Sequence, residues 1–545
     1  MAKDNKKLEI EKLKAEIERL KKELKKKKKY GLVWEEKPEE VVEMCKKKLP
    51  VLKEVKNKEI ITDKDKPVNL LIEGDNYHAL SVLNYTHAKK VDIIYIDPPY
   101  NTGNKDFIFN DHYIDKEDAY RHSKWLSFME KRLKLAKNLL KDTGVIFISI
   151  DDNEVAQLKL LMDHPDLLGE NSFLSIIKWR RKITGGGSNI FNQKTEYILS
   201  YAKNKNRFNI NKELTRPEAY SNPDNDPRGP WQSVTIKASV TQAGDRKPYT
   251  IITPTGKKIV GQWLHTKENF QKLLKDNRII FPNNGNGIPR KKQFLYEVSG
   301  STPDDLWLDC GTTDSATRMI QNMFGKKIFD TIKPVELIIR MLKLTCDKNS
   351  LVLDFMAGSG TTGHAVLELN KEDGGNRKFI LCTNNENNNG NGYKVAEDVC
   401  HPRIKKVIEG YKNLKGEQVE GLGGNLKYFK TDFVDYDEPT DKDKIKLTKQ
   451  ATEMLCVKEG TFEEVLDQND FKVFKNANHY TGIIFDQVAI PAFKKAIKNV
   501  KGKFSIYVFS LGDETFDDEF KDIKQKVKLS PIPEAILRVY RRIFK

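Results

Sequence analysis

The sequence lacks the features that mark several broad classes of protein. Its 545 residues include six cysteines without a C-x-x-C pair and nine histidines without an H-E-x-x-H motif, so neither a zinc site nor a disulfide framework is expected. No apolar run approaches the roughly 20 residues that a membrane span needs, and the N-terminus has no apolar signal-peptide core. We therefore expect a protein without a metal, without membrane association, and with a cytoplasmic location.

Acidic residues are the minority charge. Lysine and arginine number 95 against 78 aspartates and glutamates, which gives a formal charge of +17 and a sequence pI near 9.2. Residues 1–29 hold 13 basic and 6 acidic side chains, a net +7, so the remainder carries +10. This excess suits a chain that lies along a phosphate backbone, although a basic tail is also often only a solvated surface.

The same N-terminal segment repeats apolar side chains at 3-4-3-4 spacing from Ile10 to Leu24. The pattern predicts a basic helix with a seam of about two heptads, short of the three or four that indicate a coiled coil. Such a helix could dock on a neighbouring element or support a homodimer, and the sequence leaves both open.

The most informative motif follows an apolar run and reads Ile-Asp-Pro-Pro-Tyr-Asn at residues 96–101. Its two prolines fix two φ angles and remove two backbone donors, so nearby carbonyls stay free to accept hydrogen bonds from a ligand. Asp97 and the Pro98 carbonyl could hold both protons of an exocyclic amine, and Tyr100 could stack on the ring that carries it. With Pro99 they are the candidate catalytic residues, although an isolated Asp-Pro pair usually marks only a turn.

A second motif joins a predicted buried strand to a predicted helix. Residues 351–355 run into Gly358, Gly360 and Gly363, which match the G-x-G-x-x-G spacing. Such a turn lets the backbone approach a ligand closely and offers the N–H groups of a helix N-terminus to an anion. Glu386, a little over twenty residues further on, could bind a ribose. A dinucleotide dehydrogenase uses the same turn, so the spacing predicts a nucleotide-like cofactor without fixing its identity.

With both motifs in view, the chain resembles the amino-group DNA methyltransferases that use S-adenosylmethionine, in the permuted class where the catalytic corner precedes the cofactor loop. The matching segments, in order, are residues 71–76, 97–100, 150–153, 196–203, 332–338 and 354–362. Residues 30–39 and 531–537 resemble the modification (Mod) subunits of type III restriction systems and related orphan enzymes. The resemblance covers about residues 30–412.

The resemblance implies that the chain methylates the N6 amino group of adenine in a specific DNA sequence, after flipping the base out of the duplex. Aspartate at the start of the corner favours adenine in this family. Cytosine-N4 methylation is the alternative, followed by a DNA-binding specificity subunit without activity of its own. Double-stranded DNA is the implied partner, and a restriction (Res) subunit is a further one.

The resemblance also implies which residues hold the cofactor, S-adenosylmethionine. Asp75 would hydrogen-bond its adenine, the segment 332–338 would pack on its methionine part, and the glycine turn would hold its carboxylate and sulfonium region. The full set is Asp75, Asn76, Lys333, Pro334, Asp354, Phe355, Gly358, Ser359, Gly360, Thr361, Thr362 and Glu386.

The pattern of elements predicts an α/β fold. Strand-like runs at 68–72, 91–96 and 145–150 alternate with the amphipathic helix 125–140, which implies a parallel sheet with crossover helices. The alternation resumes at residue 326. We predict a Rossmann-like, doubly wound methyltransferase sheet assembled from two chain segments, with an inserted target-recognition domain and a small C-terminal α/β domain. The predicted segments are 1–29, 30–203, 204–325, 326–414 and 425–545.

Two regions are candidates for contact with DNA. The interval 204–325 is rich in Asn, Asp, Pro and Gly, with aromatic residues that are more often core than base-stacking groups. A cationic segment, 178–182, runs into the glycine-rich residues 185–188 before the strand on the target-base side, although it could also be a solvated strand end. The candidate DNA-binding residues are Asn101, Lys178, Trp179, Arg180, Arg181 and Tyr197.

The C-terminal segment carries no recognisable catalytic motif. After Gly424 it has strand-like runs at 426–429, 482–485 and 504–509. Two Lys-rich helices are predicted at 493–501 and 520–528, and either could touch DNA or a protein partner.

Overall fold

The computed structural model describes residues 34–63, 66–103, 106–110, 112–184, 190–213, 219–239, 241, 244, 246–386, 392–436, 440–477, 479–512, 514, 516–523 and 526–544. The helix predicted within residues 1–29 and the glycine-rich residues 185–188 lie outside these ranges. The chain divides into two compact units, a smaller one at Ile210–Asp304 and a larger one formed by the rest.

An eleven-stranded sheet forms the centre of the larger unit. Its strands are β1 (Lys48–Glu54), β2 (Ile60–Ile61), β3 (Val68–Glu73), β4 (Val91–Ile96), β5 (Leu140–Ile150), β6 (Phe173–Arg180), β7 (Thr195–Ala202), β8 (Leu306–Trp307), β9 (Leu351–Asp354), β10 (Lys378–Thr383) and β11 (Asn425–Asp435). Ten of them follow the order β1-β11-β3-β10-β9-β4-β5-β7-β6-β8, and β2 pairs with β11.

The sheet is mixed, which corrects the prediction of a parallel one. Its middle is parallel from β11 to β5. On one side β7 is antiparallel to both β5 and β6, and on the other β1 is antiparallel to β11. β6 and β7 are consecutive in the chain, and the Arg181 N–H donates to the Lys194 carbonyl (2.9 Å) where their connection closes. A hairpin connection of this kind requires antiparallel strands.

Both faces of the sheet are buried, as a doubly wound fold requires. Along β4, Ile94 and Ile96 point into one hydrophobic cluster while Ile93 and Tyr95 point into another, because successive side chains of a strand face opposite ways. Helices cover the two faces, so the predicted α/β fold, built from two chain segments, is confirmed.

The larger unit contains twelve described α-helices. They are Glu40–Met44, Asn76–Thr86, Arg121–Leu139, Val155–Met162, Thr313–Phe324, Val335–Thr345, Thr361–Asp373, His401–Glu409, Asp441–Gln450, Thr452–Glu459, Ile490–Ile497 and Glu534–Ile543. No helix in the described ranges combines the length and the apolar character needed to cross a bilayer.

The C-terminal segment departs from its prediction in two places. Its first strand-like run belongs to β11, which pairs parallel to β3 inside the main sheet rather than in a separate domain. Residues Lys526–Ile532 form a strand, so the helix predicted at 520–528 is wrong. The alternation Lys526, Val527, Lys528, Leu529 has the period of two that favours a strand over a helix.

A second sheet lies in this C-terminal segment. Its five strands, neighbours in chain order, are Glu463–Asp467, Phe471–Asn476, His479–Ile484, Lys503–Phe509 and Lys526–Ile532. The first three are antiparallel and the last three parallel. The final helix packs against the main sheet, where the buried Tyr540 hydroxyl donates to the Pro50 carbonyl.

The smaller unit is built around its own core. A three-stranded antiparallel sheet joins Trp231–Thr235, Arg290–Phe294 and Ile279–Ile280, beside the hairpin of Tyr249–Ile252 and Lys258–Gly261 and the helix Lys267–Lys275. The buried core residues are Ile236, Ile251, Trp263, Phe270 and Ile279.

This unit is shorter than the interval predicted for target recognition. Helix Thr313–Phe324, at the end of that interval, buries Ala316, Ile320 and Met323 in a core of the larger unit. The composition of the sequence therefore changes further along the chain, near residue 325, than the packing does, at Asp304.

Replacement of Trp263 tests the independence of this small core. Trp263 is 1% exposed and its indole N–H donates to the Tyr249 carbonyl (2.9 Å), so we expect Trp263→Ala to lower the free energy of unfolding of residues 210–304 by about 3–5 kcal/mol. Hydrogen exchange read segment by segment should show the loss within this unit. Val260→Ala, at a position 68% exposed, is the control, and an equal loss there would contradict the assignment of the core.

Candidate active site

A cleft of about 740 Å³ opens where β3, β4, β9 and β10 end. Its walls carry Asp75 and Asn76 after β3, Asp97 to Tyr100 after β4, Phe355, Met356 and Gly358 after β9, and Asn384 and Glu386 after β10. Parallel strands bring their carboxyl ends to one edge of a sheet, which is where open α/β sheets bind ligands. The proline corner and the glycine turn therefore line a single cavity.

The proline corner is fixed from behind by helix Arg121–Leu139. The Trp125 indole N–H donates to the Pro99 carbonyl (2.7 Å), and Trp125 is fully buried. Among residues in the described ranges, none donates a hydrogen bond to the Pro98 carbonyl. Of the two proline carbonyls, Pro99 thus holds the corner in place, while Pro98 is left to accept from a ligand.

Asp97 stands at the centre of a charge network in which Lys333 and Glu196 are buried. The Lys333 ammonium lies 2.8 Å from each Asp97 oxygen, and the Tyr100 hydroxyl donates to Asp97 Oδ1 (2.9 Å). Glu196 on β7 lies within 3.2 Å of the Tyr100 hydroxyl and 3.5 Å of the Lys333 ammonium. Arg181 closes the network 3.3 Å from Glu196.

The network fixes two protonation states near neutral pH. Burial, reinforced by the charges of Asp97 and Glu196, raises the pKa of Tyr100 well above its usual value, so its hydroxyl keeps its proton. Burial alone would lower the pKa of Lys333, but the charges of the same two carboxylates raise it. Lys333 therefore stays a cation, and Tyr100 stays a hydrogen-bond donor.

A second buried cation holds the opposite wall of the cleft. Arg132 makes two hydrogen bonds to Glu39 (2.6 and 3.0 Å), lies 3.3 Å from Asp75, and also donates to Asn76. Asp75 caps helix Asn76–Thr86 by accepting from the Tyr77 N–H (2.7 Å). Asp75 and Asn76 therefore keep fixed positions at the cleft wall.

The glycine turn depends on backbone conformations that favour glycine. Gly358 and Gly360 have φ of +48° and +80°, and a Cβ on Gly358 would lie 3.2 Å from the Phe329 ring. Behind the turn, the fully buried Arg403 donates to Ser359 Oγ (2.9 Å) and Thr361 Oγ1 (2.8 Å). Burial lowers the pKa of Arg403 to about 10, which still leaves it charged at neutral pH.

Asp354 supports the turn without lining the cleft. It is 2% exposed and accepts from the Met356 N–H (3.0 Å) and the Thr362 hydroxyl. Burial raises the pKa of this carboxyl to about 7, against the hydrogen bonds from Thr362 and Met356 that favour the charged form. Pro334 occupies the position before helix Val335–Thr345 and follows Lys333, which does line the cleft.

Comparison with known proteins gives the family of the chain. Residues 91–388, more than half of the chain, match the family described as DNA methylase. The chain belongs to this family. The match begins at β4 and ends beyond Glu386, so it includes the proline corner and the glycine turn.

Individual relatives agree with the family. The Mod subunit of the type III restriction-modification enzyme StyLTI of Salmonella typhimurium is 39% identical over 373 residues, 62% of this chain and 57% of that protein. The EcoPI Mod subunit of Escherichia phage P1 is 34% identical over 62% of its length, and the type II methyltransferase M.KpnI of Klebsiella pneumoniae is 31% identical over 89% of its length. The chain thus spans about three-fifths of the length of these two Mod subunits.

A solved structure shows a weaker likeness. The crystal structure of an M1.HpyAVI complex with SAM overlaps 62% of this chain and 97% of its own, at 15% sequence identity and a TM-score of 0.30. A TM-score this low adds nothing to the family assignment, which rests on sequence.

Two of the residues predicted to contact DNA are buried. Trp179 is fully buried and its indole N–H donates to the Gly311 carbonyl (3.2 Å). Asn101 is fully buried and donates to Glu154 (2.6 Å). Both predictions are therefore wrong for direct contact, because β6 and the turn after Tyr100 face the core at these points.

The other candidates lie at or near the surface. Lys178 is half-exposed and Arg180 donates to the Leu308 carbonyl. Arg181 lines the cleft, and the Tyr197 hydroxyl donates to Asp152 Oδ1 (2.8 Å) at an exposed position. These four remain candidates for DNA contact.

Sequence reasoning missed two charged residues of the site, Arg132 and Arg403, and included Glu196 only as the first residue of the matching segment 196–203. Arg132 does carry a signal, since it occupies one step of the buried 4-3-4 repeat Trp125, Met129, Arg132, Ala136. A cation on the apolar face of a helix must meet acceptors in the folded chain. In this family member those acceptors line the cleft.

The raised pKa of Asp354 predicts a pH dependence of stability. Its pKa is about 7 in the folded chain, against an ordinary value of 3.8. Between these two pH values the unfolded chain is ionised at Asp354 while the folded chain still binds the proton. The free energy of unfolding therefore falls as pH rises toward and through 7. Between pH 6 and pH 8 the wild type should lose about 1.4 kcal/mol relative to Asp354→Asn, which lacks the ionisable group. Urea unfolding at the two pH values measures this.

The exposed Asp518 supplies the control for this experiment. It is 86% exposed, and Asp518→Asn should follow the pH dependence of the wild type. A wild-type advantage over Asp354→Asn that grows with pH would contradict the raised pKa of Asp354.

Proposed function

We propose that this chain is a site-specific DNA methyltransferase that moves a methyl group from S-adenosylmethionine to the N6 amino group of adenine. One observation carries the proposal: the Asp97 corner and the glycine turn at Gly358 line the same cleft. A group that accepts an exocyclic amine thus faces a turn suited to a nucleotide-like cofactor.

The size and shape of the cleft fit S-adenosylmethionine. A volume of about 740 Å³ falls within the range of roughly 300–1,000 Å³ that small-molecule sites occupy. Gly358 keeps one wall open, because a side chain there would press on the Phe329 ring. S-adenosylmethionine supplies an electrophilic methyl group on a cationic sulfonium.

The charge of the cleft favours this cofactor over a dinucleotide. Among the residues that the structure describes, nine carboxylates line it, namely Glu39, Glu40, Asp75, Asp97, Asp106, Asp151, Glu196, Asp330 and Glu386, against three cations, Arg132, Arg181 and Lys333. An acidic cavity attracts a sulfonium and repels a pyrophosphate. This speaks against a dehydrogenase, which the glycine spacing alone leaves open.

The residues of the corner account for the reaction at the amine. Hydrogen bonds from the amine to Asp97 and the Pro98 carbonyl would draw its lone pair out of conjugation with the ring and toward the methyl group. Tyr100 lines the cleft beside them, where its ring can stack on the flipped base. Asp97 accepts the amine proton after transfer, when the methylated nitrogen is acidic.

Positioning supplies much of the rate. Trp125 and Lys333 hold the corner through the Pro99 carbonyl and Asp97, while Arg403 holds the turn through Ser359 and Thr361. Both loops are therefore fixed before a substrate binds, which lowers the cost of aligning nitrogen and methyl group.

The sequence recognised and the partners are further parts of the proposal. The smaller unit, Ile210–Asp304, is the candidate for target recognition, since it is a separate compact insertion between β7 and β8. Relatives named as Mod subunits belong to type III restriction-modification enzymes, which favours a restriction partner for this chain as well.

Replacement of Asp97 tests the function. Asp97→Asn keeps the shape of the side chain but halves its accepting atoms, so we expect methyl transfer to fall by about 10²–10⁴-fold. Binding of S-adenosylmethionine should change by less than about threefold. Mass spectrometry of DNA nucleosides after incubation with labelled cofactor measures both the rate and the product, N6-methyladenine or N4-methylcytosine.

Asp163 offers a matched control, because it also accepts from a tyrosine and a lysine, Tyr201 (2.8 Å) and Lys159, outside the cleft. Asp163→Asn should keep wild-type transfer. Full activity of Asp97→Asn would contradict the proposal. N4-methylcytosine as the product would show that the target base is cytosine rather than adenine.

A further inference from the structure

Asp97 is already surrounded by donors before an amine reaches it. Lys333 contacts both of its oxygens at 2.8 Å, and the Tyr100 hydroxyl donates to Oδ1 at 2.9 Å. An ionised carboxylate has about four lone-pair positions, so these contacts occupy most of its accepting capacity. Each donor that stays on Asp97 makes it a weaker acceptor for the amine.

The Tyr100 hydroxyl has one proton and two carboxylates in reach. Its distance to Asp97 Oδ1 is 2.9 Å and its distance to Glu196 Oε2 is 3.2 Å. A single proton cannot make a full hydrogen bond to both, so the two carboxylates compete for it. Because the two distances are so similar, a small rotation of the hydroxyl decides between them.

Glu196 is held where it can compete. Its side chain is 4% exposed, on β7 opposite the corner, and contacts Arg181 at 3.3 Å and Lys333 at 3.5 Å. A carboxylate that is buried without compensation is costly, and these two cations supply the compensation. Arg181 and Lys333 therefore hold the Glu196 carboxylate beside the Tyr100 hydroxyl.

We propose that Glu196 is a positioning residue. When the target amine binds, Glu196 accepts the hydrogen bond of the Tyr100 hydroxyl, and this leaves Asp97 free to accept from the amine. The inference rests on the proposed methyltransferase function and deepens it. Glu196 touches no reacting atom in this scheme. It acts through Tyr100, and Lys333 keeps the charge of Asp97 balanced while the hydroxyl turns away.

Glu196→Gln is the first variant to measure. It keeps the size of the side chain but replaces a charged acceptor by a neutral one, so the Tyr100 proton stays on Asp97. We expect kcat to fall by about 10- to 100-fold, the range of a hydrogen bond to a charged group. The KM for duplex DNA and the Kd for S-adenosylmethionine should change by less than about threefold.

Tyr100→Phe separates positioning from a merely structural role. Without the hydroxyl there is no proton to compete for, so Glu196→Gln added to Tyr100→Phe should lower kcat by less than about threefold relative to Tyr100→Phe alone. Equal effects of Glu196→Gln in both backgrounds would overturn the inference, since the loss would then not run through Tyr100. If Glu196→Gln does not fold, Glu196→Asp, which moves the carboxylate away from Tyr100, is measured in the same two backgrounds with the same expected coupling.

Glu459 provides the matched control. This largely buried glutamate accepts from the Tyr507 hydroxyl (2.6 Å) and the Ser505 hydroxyl (2.8 Å) in the C-terminal sheet. Glu459→Gln should keep wild-type kcat. If the wild type transfers no methyl group, the proposed function fails. If it does, and Glu196→Gln has wild-type kcat, only the role of Glu196 fails.

Discussion

The pairing of β9 with β4 is the contact on which the site depends. Val352 and Leu353 pair in parallel with Ile93 and Ile94, although the two strands are far apart in the chain. Neighbouring strands lie about 4.8 Å apart, so the loops that follow them reach one cavity. An antiparallel pairing of the same strands would send the proline corner and the glycine turn to opposite edges of the sheet. Parallel register, rather than either motif, therefore creates the cleft.

Buried cations then fix the shape of that cleft. Arg132, Lys333 and Arg403 are each less than 5% exposed, and each bonds to groups from another part of the chain. Removing the partner of a buried charge typically costs about 3–5 kcal/mol, so such contacts tolerate little movement. The positions of the charged groups in the cleft walls are consequently fixed, as is the shape of the walls. That rigidity is what electrostatic preorganisation requires of a catalytic site.

Features that depend on local backbone chemistry were predictable from the sequence, and features that depend on register were not. The corner at 96–101 and the turn at Gly358 act through their own prolines and glycines, and the predicted strand 91–96 is β4 as observed. The place of β11 between β1 and β3 depends on partners hundreds of residues away. The contact of Glu196 with Tyr100 was not predictable for the same reason, because only the pairing of β7 with β5 carries Glu196 to Tyr100.

The signs of charge inside and outside the cleft are opposite, and the contrast fits base flipping. The chain as a whole carries a formal charge of +17, while carboxylates outnumber cations by nine to three in the described part of the cleft lining. A duplex backbone is attracted to basic surface and repelled from an acidic cavity, whereas a neutral base meets no such repulsion. Under the proposed function, electrostatics alone would let an extruded adenine enter the cleft while the phosphates of the DNA backbone stay at its rim. The acidic lining then also favours the cationic methyl donor over its neutral product, which helps the spent cofactor to leave.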